Sequence, residues 1–338
     1  MGAEILNDLF MGKTLDRARA RQAMGMLIDG EFSDAQAVQF LSALKNRPET
    51  VAEIVGFAEA MRERAVLVEV GKEPLVDTCG TGGDGSSSFN ISTASAIIAA
   101  GAGASVAKHG NRAVSSRCGS ADVLEALGVQ TWMSPKLSAR CIEETGVGFL
   151  FAQALHPGLK KLAPLRQKLG RTVFNLLGPL ANPARARRQV LGVYSRSLVP
   201  LVAAALRELG SEEAMVVSSY DGLDEISLCA KTAVAHLKRG GQISEYDISG
   251  EAQGFQVYPK GAFAGGDAAQ NAKIILSVLN GEAGPARDVS IINAAAALLV
   301  AGKAADLKAG AALAKASVDE KRALAALEKL KALSHVED

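Results

Sequence analysis

The sequence predicts an α/β fold: a small all-helical domain, then a large α/β domain with a central, largely parallel sheet flanked by helices. Three observations support this prediction. Residues 1–65 show helical periodicity and no strand pattern. From Pro74 onward, short apolar segments typical of strands alternate with helical segments. The first of these strands runs directly into a glycine-rich turn that precedes a helix.

Two segments near the N-terminus carry clear helix signals. Ser33 precedes an amphipathic run at 34–44, whose apolar residues fall on one stripe. Pro48 opens a second run that extends to Met61, because proline suits the first turn of a helix. These signals predict a small helical domain.

The alternating pattern begins with a strand at 75–77. Ser92 or Thr93 is predicted to cap the next helix, at 94–100. Ser120 is predicted to cap another helix. The other elements predicted in this part are a strand at 105–107, a helix at 121–127 that ends at Gly128, a helix from Ser134 and Pro135 to Gly146, and a strand at 148–151.

The pattern changes between 155 and 183, where a helix at 160–169 precedes a segment rich in Asn, Gly and Pro. Alternation then resumes. The remaining predicted elements are a strand at 190–194, a helix at 198–209, a strand at 214–218, an alanine-rich helix at 291–301 and a helix at 320–333.

Charge and cysteine content exclude several classes of protein. Lys and Arg number 37 and Asp and Glu number 36, so the chain lacks the basic excess of a dedicated nucleic-acid-binding protein. The four cysteines have no zinc-ligand spacing, and the sequence has neither signal-peptide features nor a membrane-spanning segment. We therefore expect a cytoplasmic protein with reduced thiols that binds neither nucleic acid nor membranes.

The strongest candidate site is the turn at 77–85, DTCGTGGDG. Its four glycines leave backbone N–H groups bare, and the helix that follows adds the positive end of its dipole, so the turn can hold a phosphate. The spelling GxGxxG also matches the dinucleotide-binding fingerprint. That interpretation requires an acidic residue about 20 positions later, where Lys108 stands instead. A tight turn without a ligand is the simpler alternative, which Asp84 and the polar residues after it disfavour.

Two polar runs follow the first two predicted strands. The run SSSFNIST at 86–93 can cap a helix, or it can bind phosphate oxygens and a metal-bound diphosphate. The run KHGNRAVSS at 108–116 places two cations and small polar groups after a strand. Ligands of open α/β folds bind at the carboxyl ends of strands, so this run is a second candidate; a solvated surface loop is the alternative.

Two further features suit a charged substrate. The loop DGLDE at 221–225 brings carboxylates together, and Mg2+ binds one or two carboxylates plus substrate phosphates. Arg166 can recognise a carboxylate through two parallel hydrogen bonds. Taken alone, an acidic pair and a helical arginine are both more typical of solvated surface.

Taken together and in their order along the chain, these motifs resemble those of the anthranilate phosphoribosyltransferases. The resemblance covers nearly the whole chain. It rests on GTGGDG at 80–85, NIST at 90–93, KHGNRAVSS at 108–116, TVFNLLGPLANP at 172–183, DGLDEIS at 221–227, GGDAAQNA at 265–272 and NAAAALLVAGKAADL at 293–307.

The resemblance implies a fold like that of nucleoside phosphorylases and phosphoribosyltransferases. Residues 1–70 would form the helical domain, joined by part of 163–185. Residues 71–162 and 186–338 would form the α/β domain that binds the phosphoribosyl group. Family members are usually homodimers packed through the helical domain, so a homodimer is implied.

The resemblance also implies a reaction: Mg2+-dependent transfer of the phosphoribosyl group of 5-phosphoribosyl 1-pyrophosphate to anthranilate, in tryptophan biosynthesis. Lys108, Asp224 and Glu225 would be catalytic. Mg2+ would be held by Ser92, Asp224 and Glu225, and anthranilate by Gly80, Asn111 and Arg166. The residues implied at the donor are Gly80, Gly83, Asp84, Ser88, Asn90, Ile91, Ser92, Thr93, Lys108, His109, Gly110, Asn111, Arg112, Ala113, Val114, Ser115, Ser116 and Ser120.

The chain departs from the family pattern at a few positions. Ser88 replaces a common threonine but keeps the hydroxyl. Leu155 stands where many members have histidine, Ser218 stands where histidine is common, and the segment 169–172 is one residue short. These departures bear on the acceptor site more than on the donor site.

Two alternative functions are compatible with parts of the pattern. A pyrimidine nucleoside phosphorylase-like enzyme would use free phosphate and a nucleoside, and would not need Asp224 and Glu225. A non-catalytic relative that binds nucleic acid should show a basic surface and lose the acceptor residues. The net charge of +1 and the presence of Asn111 and Arg166 disfavour this second alternative.

Overall fold

A computed structural model describes residues 2–72, 74–113 and 117–337, except for the side chains of residues 166 and 167. Its N-terminal part is helical, as predicted. The helices are α1 (Gly2–Phe10), α2 (Arg17–Asp29), α3 (Asp34–Lys45) and α4 (Val51–Glu63).

Capping side chains determine where these helices begin. The Ser33 side chain accepts a hydrogen bond from the backbone of Gln36, so the cap predicted for α3 is confirmed. Pro48, by contrast, does not open α4. Thr50 forms a capping box with Glu53, and the helix therefore begins at Val51.

The described residues form one seven-stranded sheet with the strand order β3-β2-β1-β4-β5-β6-β7. The first five strands in this order pair in parallel, and the last two pairings are antiparallel, so the prediction of a largely parallel sheet is confirmed. Strands β6 and β7 were not predicted. The strands are β1 (Leu75–Gly80), β2 (Ser105–Gly110), β3 (Val147–Phe151), β4 (Arg188–Gly192), β5 (Glu213–Ser219), β6 (Thr232–Leu237) and β7 (Ile243–Ile248).

Helices cover both faces of the sheet. They are α5 (Ile91–Gly101), α6 (Ser120–Ala126), α7 (Pro135–Thr145), α8 (Ala152–Leu155), α9 (Ala163–Leu169), α10 (Phe174–Leu180), α11 (Leu198–Glu208), α12 (Ala268–Leu279), α13 (Pro285–Val300), α14 (Leu307–Asp319) and α15 (Arg322–Ser334). Short 3-10 helices lie at Pro157–Leu162 and Glu251–Gln253. None of the described helices is long and apolar enough to span a membrane.

Two large hydrophobic clusters hold these layers together. The first joins one face of the sheet to α5, α12, α13 and α15. The second joins the opposite face to α10, α11 and the N-terminal helices α1–α4. The N-terminal bundle therefore packs on the sheet through α10 and α11 rather than standing apart from it.

Two predicted helix caps are wrong, and one segment without a predicted element contains a helix. Helix α5 begins at Ile91 with Asn90 before it, so Ser92 and Thr93 lie inside its first turn and do not cap it. Ser120 is the first residue of α6, and Gly119 takes the cap position. The Asn-, Gly- and Pro-rich segment contains α10, which includes Pro179 near its C-terminal end.

The strand order creates a crevice at one edge of the sheet. From β1 the chain moves outward to β2 and β3, and then returns to place β4 on the other side of β1. Ligands of open α/β sheets bind at such a reversal, beyond the carboxyl ends of the strands. The predicted glycine-rich turn and the acidic loop follow strands at this edge, and the run at 108–113 begins in the last residues of β2 and continues beyond it.

Candidate active site

The glycine-rich turn follows β1 and adopts a backbone that favours glycine. Gly82, Gly83 and Gly85 have φ angles of 61°, 73° and 72°, in the left-handed region. Gly80 is required for a different reason, because a Cβ atom there would lie 2.6 Å from Oδ2 of Asp224. The turn can therefore approach the acidic loop only with glycine at this position.

The predicted carboxylates and the glycine-rich turn meet in the crevice. Asp224 Oδ2 accepts a hydrogen bond from the backbone N–H of Gly82 at 3.0 Å. Glu225 Oε1 accepts one from the backbone N–H of Ser92 at 3.1 Å. The backbone N–H of Asp224 in turn donates to Asp84 Oδ2 at 3.4 Å. Three carboxylates thus surround the start of the turn and of α5.

This arrangement is electrostatically costly without a cation. Burial, reinforced by the negative charge of Asp84, raises the pKa of Asp224 to about 7. Burial and the charge of Asp224 raise the pKa of Glu225 well above its usual range. A bound cation would reverse both effects.

The donor set suits a metal ion that arrives with its substrate. Among the residues that the structure describes, no three His, Cys, Asp or Glu side chains are arranged to hold a metal by themselves. Mg2+ typically takes one or two carboxylates and completes its shell with waters and substrate phosphates. Asp224 and Glu225, beside a turn with exposed backbone N–H groups, fit Mg2+ in that mode.

Lys108 lies deep in the same crevice. Its Nζ donates to the backbone carbonyl of Thr78 and to the Ser92 hydroxyl, the latter at 3.3 Å. Burial lowers its pKa, and the nearby carboxylate of Asp77 opposes that shift. Ser92 therefore lies between the lysine and Glu225, where its hydroxyl can reach a metal-bound phosphate.

His109 points to the opposite face of β2. Its ring centroid lies 5.1 Å from that of His156, and its Nδ1 lies 3.1 Å from the carbonyl oxygen of Gly178. Nε2 of both imidazoles is buried and has no hydrogen-bond partner among the described residues. Buried polar atoms normally have partners, so this pair indicates a place for a polar ligand or water.

The lowered pKa values of His109 and His156 make the free energy of unfolding depend on pH. Burial lowers the pKa of His109 to about 3 and that of His156 to about 4. Below pH 6.5 the unfolded chain therefore binds protons that the folded chain excludes. Each histidine should lower the free energy of unfolding by about 1.4 kcal/mol per pH unit as the pH falls from 6.5 toward these values.

We expect His156→Gln to weaken this acid dependence. In urea unfolding measured from pH 7 to pH 5, the average slope of the unfolding free energy against pH should decrease by about 1 kcal/mol per unit, because the unfolded imidazole takes up its proton only near and below pH 6.5. His335→Gln is the matched control, because His335 is exposed. Equal slopes for His156→Gln and the unaltered protein would contradict the assignment of a buried neutral imidazole.

The loop after β2 is held by hydrogen bonds within the loop and by contacts with α6 and α8. Asn111 Oδ1 accepts hydrogen bonds from the backbone of Arg112 at 2.8 Å and from Gln153 at 3.1 Å. The Arg112 guanidinium binds Asp122 and Glu125 at 2.9 and 2.7 Å. The arginine therefore faces α6 in this structure.

The other predicted site residues divide into three groups. Ser88, Asn90, Ile91 and Thr93 lie in the turn and at the start of α5; Oγ1 of Thr93 is buried without a described partner. Gly110, Ala113 and Ser120 lie in or beside the loop after β2. Val114, Ser115 and Ser116 lie outside the described residues, as does the side chain of Arg166, whose backbone is part of α9.

Two buried asparagines that were not predicted position the site. Asn271 on α12 accepts from the backbone N–H of Gly266 at 2.7 Å and donates to Asn90 Oδ1 at 2.9 Å. Asn293 on α13 accepts from the N–H of Ile226 at 2.9 Å and donates to its carbonyl at 2.8 Å. They hold the residue before α5 and the residue after Glu225. Both asparagines lie in the C-terminal motifs at 265–272 and 293–307, and this was the only feature of the sequence that could have pointed to them.

Comparisons with known proteins agree with this architecture. A model of the glycosyl transferase family helical bundle domain matches residues 3–65, and a model of the glycosyl transferase family a/b domain matches residues 72–324. An anthranilate phosphoribosyltransferase from Thermomicrobium roseum is 49% identical over 99% of this chain and 97% of its own length. One from Anaeromyxobacter dehalogenans is 52% identical over 96% of this chain and 95% of its own.

Solved structures give the same result. The crystal structure of anthranilate phosphoribosyltransferase from Thermus thermophilus superposes with a TM-score of 0.93 and 42% identity, over 98% of this chain and 99% of that one. The Saccharomyces cerevisiae enzyme in complex with PRPP and Mg has a TM-score of 0.90 and 27% identity, over 98% and 97% of the two chains. This chain is a member of the anthranilate phosphoribosyltransferase family.

Proposed function

We propose that the chain transfers the phosphoribosyl group of 5-phosphoribosyl 1-pyrophosphate to the amine of anthranilate, in a Mg2+-dependent step of tryptophan biosynthesis. The products are N-(5-phosphoribosyl)anthranilate and pyrophosphate. The main observation behind this proposal is that Asp224, Glu225 and Lys108 lie beside the glycine-rich turn, at the carboxyl ends of the parallel strands. This site combines backbone N–H groups that can bind phosphate, a lysine cation, and two carboxylates of the kind that bind Mg2+.

On the donor side, the main chemical demand is a good leaving group. Breaking the bond from the ribose carbon to the diphosphate builds negative charge on the departing oxygens. Asp224 and Glu225, with Ser92, would hold Mg2+, which supplies compensating positive charge to the diphosphate. Lys108 and the backbone N–H groups of the turn at 82–85 would donate hydrogen bonds to the same oxygens.

On the acceptor side, the main demand is position. The amine of anthranilate is neutral at pH 7, so its lone pair can attack without a strong base, and correct placement can supply about 7–11 kcal/mol of the barrier reduction. Gly80 and Asn111 border the crevice where we place anthranilate. The buried Nε2 atoms of His109 and His156 offer additional polar contacts on that side.

A single assay tests the proposed reaction. Purified protein is mixed with anthranilate, 5-phosphoribosyl 1-pyrophosphate and Mg2+, and the loss of anthranilate fluorescence is followed, with EDTA added to a parallel sample. We expect a loss that requires both the donor and Mg2+. No loss with folded protein would reject the reaction and favour the nucleoside phosphorylase-like alternative, which phosphorolysis of a pyrimidine nucleoside then tests.

We expect Arg166→Ala to raise the KM for anthranilate by about 10- to 100-fold, the loss of one charge-assisted contact to its carboxylate. The KM for the donor should change by less than about 2-fold. Lys168→Ala is the matched control, because Lys168 is an exposed cation on the same helix. Steady-state kinetics with each substrate varied in turn measures both constants. A larger effect on the donor KM would reject Arg166 as the carboxylate-binding residue.

The domain organisation supports closure around the two substrates. We assign residues 1–70, with part of 163–185, to a helical domain, and residues 71–162 and 186–338 to the α/β domain. Movement of one against the other would exclude water and limit hydrolysis of the donor. Hydrogen-deuterium exchange with and without the donor and Mg2+ tests this, with protection expected on both sides of the crevice.

We further propose a cytoplasmic homodimer. The helical bundle exposes apolar side chains at the end of α1, where Phe10 is 83% and Met11 70% exposed, and such a patch suits contact with a second copy. Light scattering on the purified protein measures the dimer directly. The four cysteines are thiols, which supports a reducing compartment.

A further inference from the structure

Arg171 reaches the glycine-rich turn from the opposite side of the crevice. It lies on the short connection between α9 and α10. This connection is fixed to the N-terminal bundle, because Lys45 Nζ donates to the carbonyl of Leu169 at 3.0 Å and Phe174 lies in the hydrophobic cluster that contains the bundle. The arginine therefore belongs structurally to the helical side.

Its guanidinium contacts two parts of the α/β side. It donates a hydrogen bond to the carbonyl of Gly83, in the middle of the turn. Its Cζ also lies 4.0 Å from the ring centroid of Tyr194, the second residue after β4. The backbone N–H of Tyr194 donates to Thr81 Oγ1 at 3.1 Å, so the tyrosine is itself tied to the turn.

The charge of Arg171 is not neutralised. No Asp or Glu among the described residues lies within ion-pairing distance of it, although Asp84, Asp224 and Glu225 are in the same crevice. Arg112 differs, since two carboxylates bind it. A neutral carbonyl and an aromatic face hold the Arg171 cation in place and leave its charge available to an anion.

The position of the Arg171 guanidinium indicates which part of the donor it would contact. Gly83 precedes Asp84, which contacts the backbone of Asp224, so Arg171 stands at the metal-binding end of the turn. A guanidinium forms two parallel hydrogen bonds to phosphate oxygens, and charge-assisted bonds of this kind are stronger than a bond to a neutral carbonyl. A diphosphate in the turn would therefore draw Arg171 away from Gly83.

We propose that Arg171 is a donor-binding residue that contacts the diphosphate from the helical side and so links donor binding to closure of the crevice. This inference rests on the proposed function, because it takes the diphosphate as the anion in the turn. Pyrophosphate is the released product of that reaction and carries the same group, so it is a direct probe of the contact.

The test compares Arg171→Met with Arg171→Lys. Methionine keeps most of the length and the packing on Tyr194 but removes the charge, whereas lysine keeps the charge and removes the planar fork. Arg196→Met is the matched control, since Arg196 lies over the ring of Tyr220 at 4.3 Å, an equivalent contact after the neighbouring strand. Thermal melting of each variant confirms that it is folded.

Two readouts are measured: the KM of each substrate, and the affinity for pyrophosphate with Mg2+ by calorimetry. We expect Arg171→Met to raise the donor KM and weaken pyrophosphate binding by about 10-fold or more, with the anthranilate KM changed by less than about 2-fold. Arg171→Lys should fall between, and Arg196→Met should match the unaltered protein.

Unchanged donor KM and pyrophosphate affinity in folded Arg171→Met would overturn the proposal, as would an equal loss in Arg196→Met. If the unaltered protein does not transfer the phosphoribosyl group to anthranilate, calorimetry still tests the arginine contact. Pyrophosphate binding that is weakened in Arg171→Met but not in Arg196→Met would then support the contact, although the proposed reaction would be rejected. Absence of pyrophosphate binding to the unaltered protein overturns the contact as well.

Discussion

Replacing Asp224 with Asn and Glu225 with Gln together is expected to lower kcat by about 10³-fold or more and to abolish the response to Mg2+. Both substitutions keep an oxygen that can accept the hydrogen bonds from Gly82 and Ser92. The turn and the start of α5 should therefore stay in place. What disappears is the negative charge that would bind the metal.

The same variant should not be less stable at pH 8. A carboxylic acid whose pKa is raised on folding stabilises the fold in its neutral form, and that stabilisation is lost as the pH rises through the folded pKa, which is about 7 for Asp224. The neutral amides avoid this loss. A melting temperature at pH 8 equal to or above that of the unaltered protein, with turnover abolished, would separate function from stability.

Measurements of initial rate against Mg2+ concentration, together with thermal melting, test the prediction. Asp221→Asn is the control from the same loop, because its carboxylate accepts a hydrogen bond from the Ser227 hydroxyl at 2.7 Å and does not contact the turn. Near-normal turnover of the double variant, or an unchanged Mg2+ response, would refute the metal assignment.

The convergence of the acidic loop and the glycine-rich turn could be predicted because it depends on topology alone. More than a hundred residues separate Gly82 from Asp224, but each follows a strand of one parallel sheet. The carboxyl ends of parallel strands share one edge, so alternating strands and helices were enough to bring the two segments together. Lys108 lies near the carboxyl end of β2 and therefore at the same edge of the sheet.

The residues that were missed depend on partners that no local pattern specifies. Asn293 lies in an alanine-rich helix, and its role follows only from its contact with the backbone of Ile226. His156 acquires its character from burial against His109. The start of α5 was misplaced because Ser92 and Thr93 are good capping residues by propensity, whereas the tertiary contact between Asn271 and Asn90 holds the residue before Ile91.

The direction of each side chain was a further feature that limited the prediction of the site. Successive residues of a strand point to opposite faces, so the side chains of Lys108 and His109 lie on opposite sides of β2 even though they are neighbours in one motif. The lysine meets Thr78 and Ser92, and the histidine meets α10. The motif predicts both residues at the donor, whereas the structure places the His109 ring beside Gly178 and His156, away from Thr78 and Ser92.

Lys108→Ala is expected to lower kcat by about 10²- to 10³-fold and to raise the donor KM, with the anthranilate KM little changed. The buried ammonium lies 3.3 Å from the Ser92 hydroxyl, and its loss would remove both a hydrogen-bond donor and a positive charge from the leaving diphosphate. Steady-state kinetics with the donor varied measures the effect, and Lys136→Ala, an exposed lysine on α7, is the control.

A structural role for Lys108 would also reduce activity, and added ethylammonium distinguishes the two explanations. Burial raises the pKa of Asp77 to about 6 and the charge of Lys108 opposes this shift, so the variant should leave Asp77 more readily protonated and the fold somewhat altered. A small cation that enters the space left by the side chain restores the missing charge at the reacting oxygens. Recovery of about 10-fold in kcat with ethylammonium, and none in the Lys136→Ala control, is the expected result. An unchanged donor KM and kcat in Lys108→Ala would remove the lysine from the catalytic site.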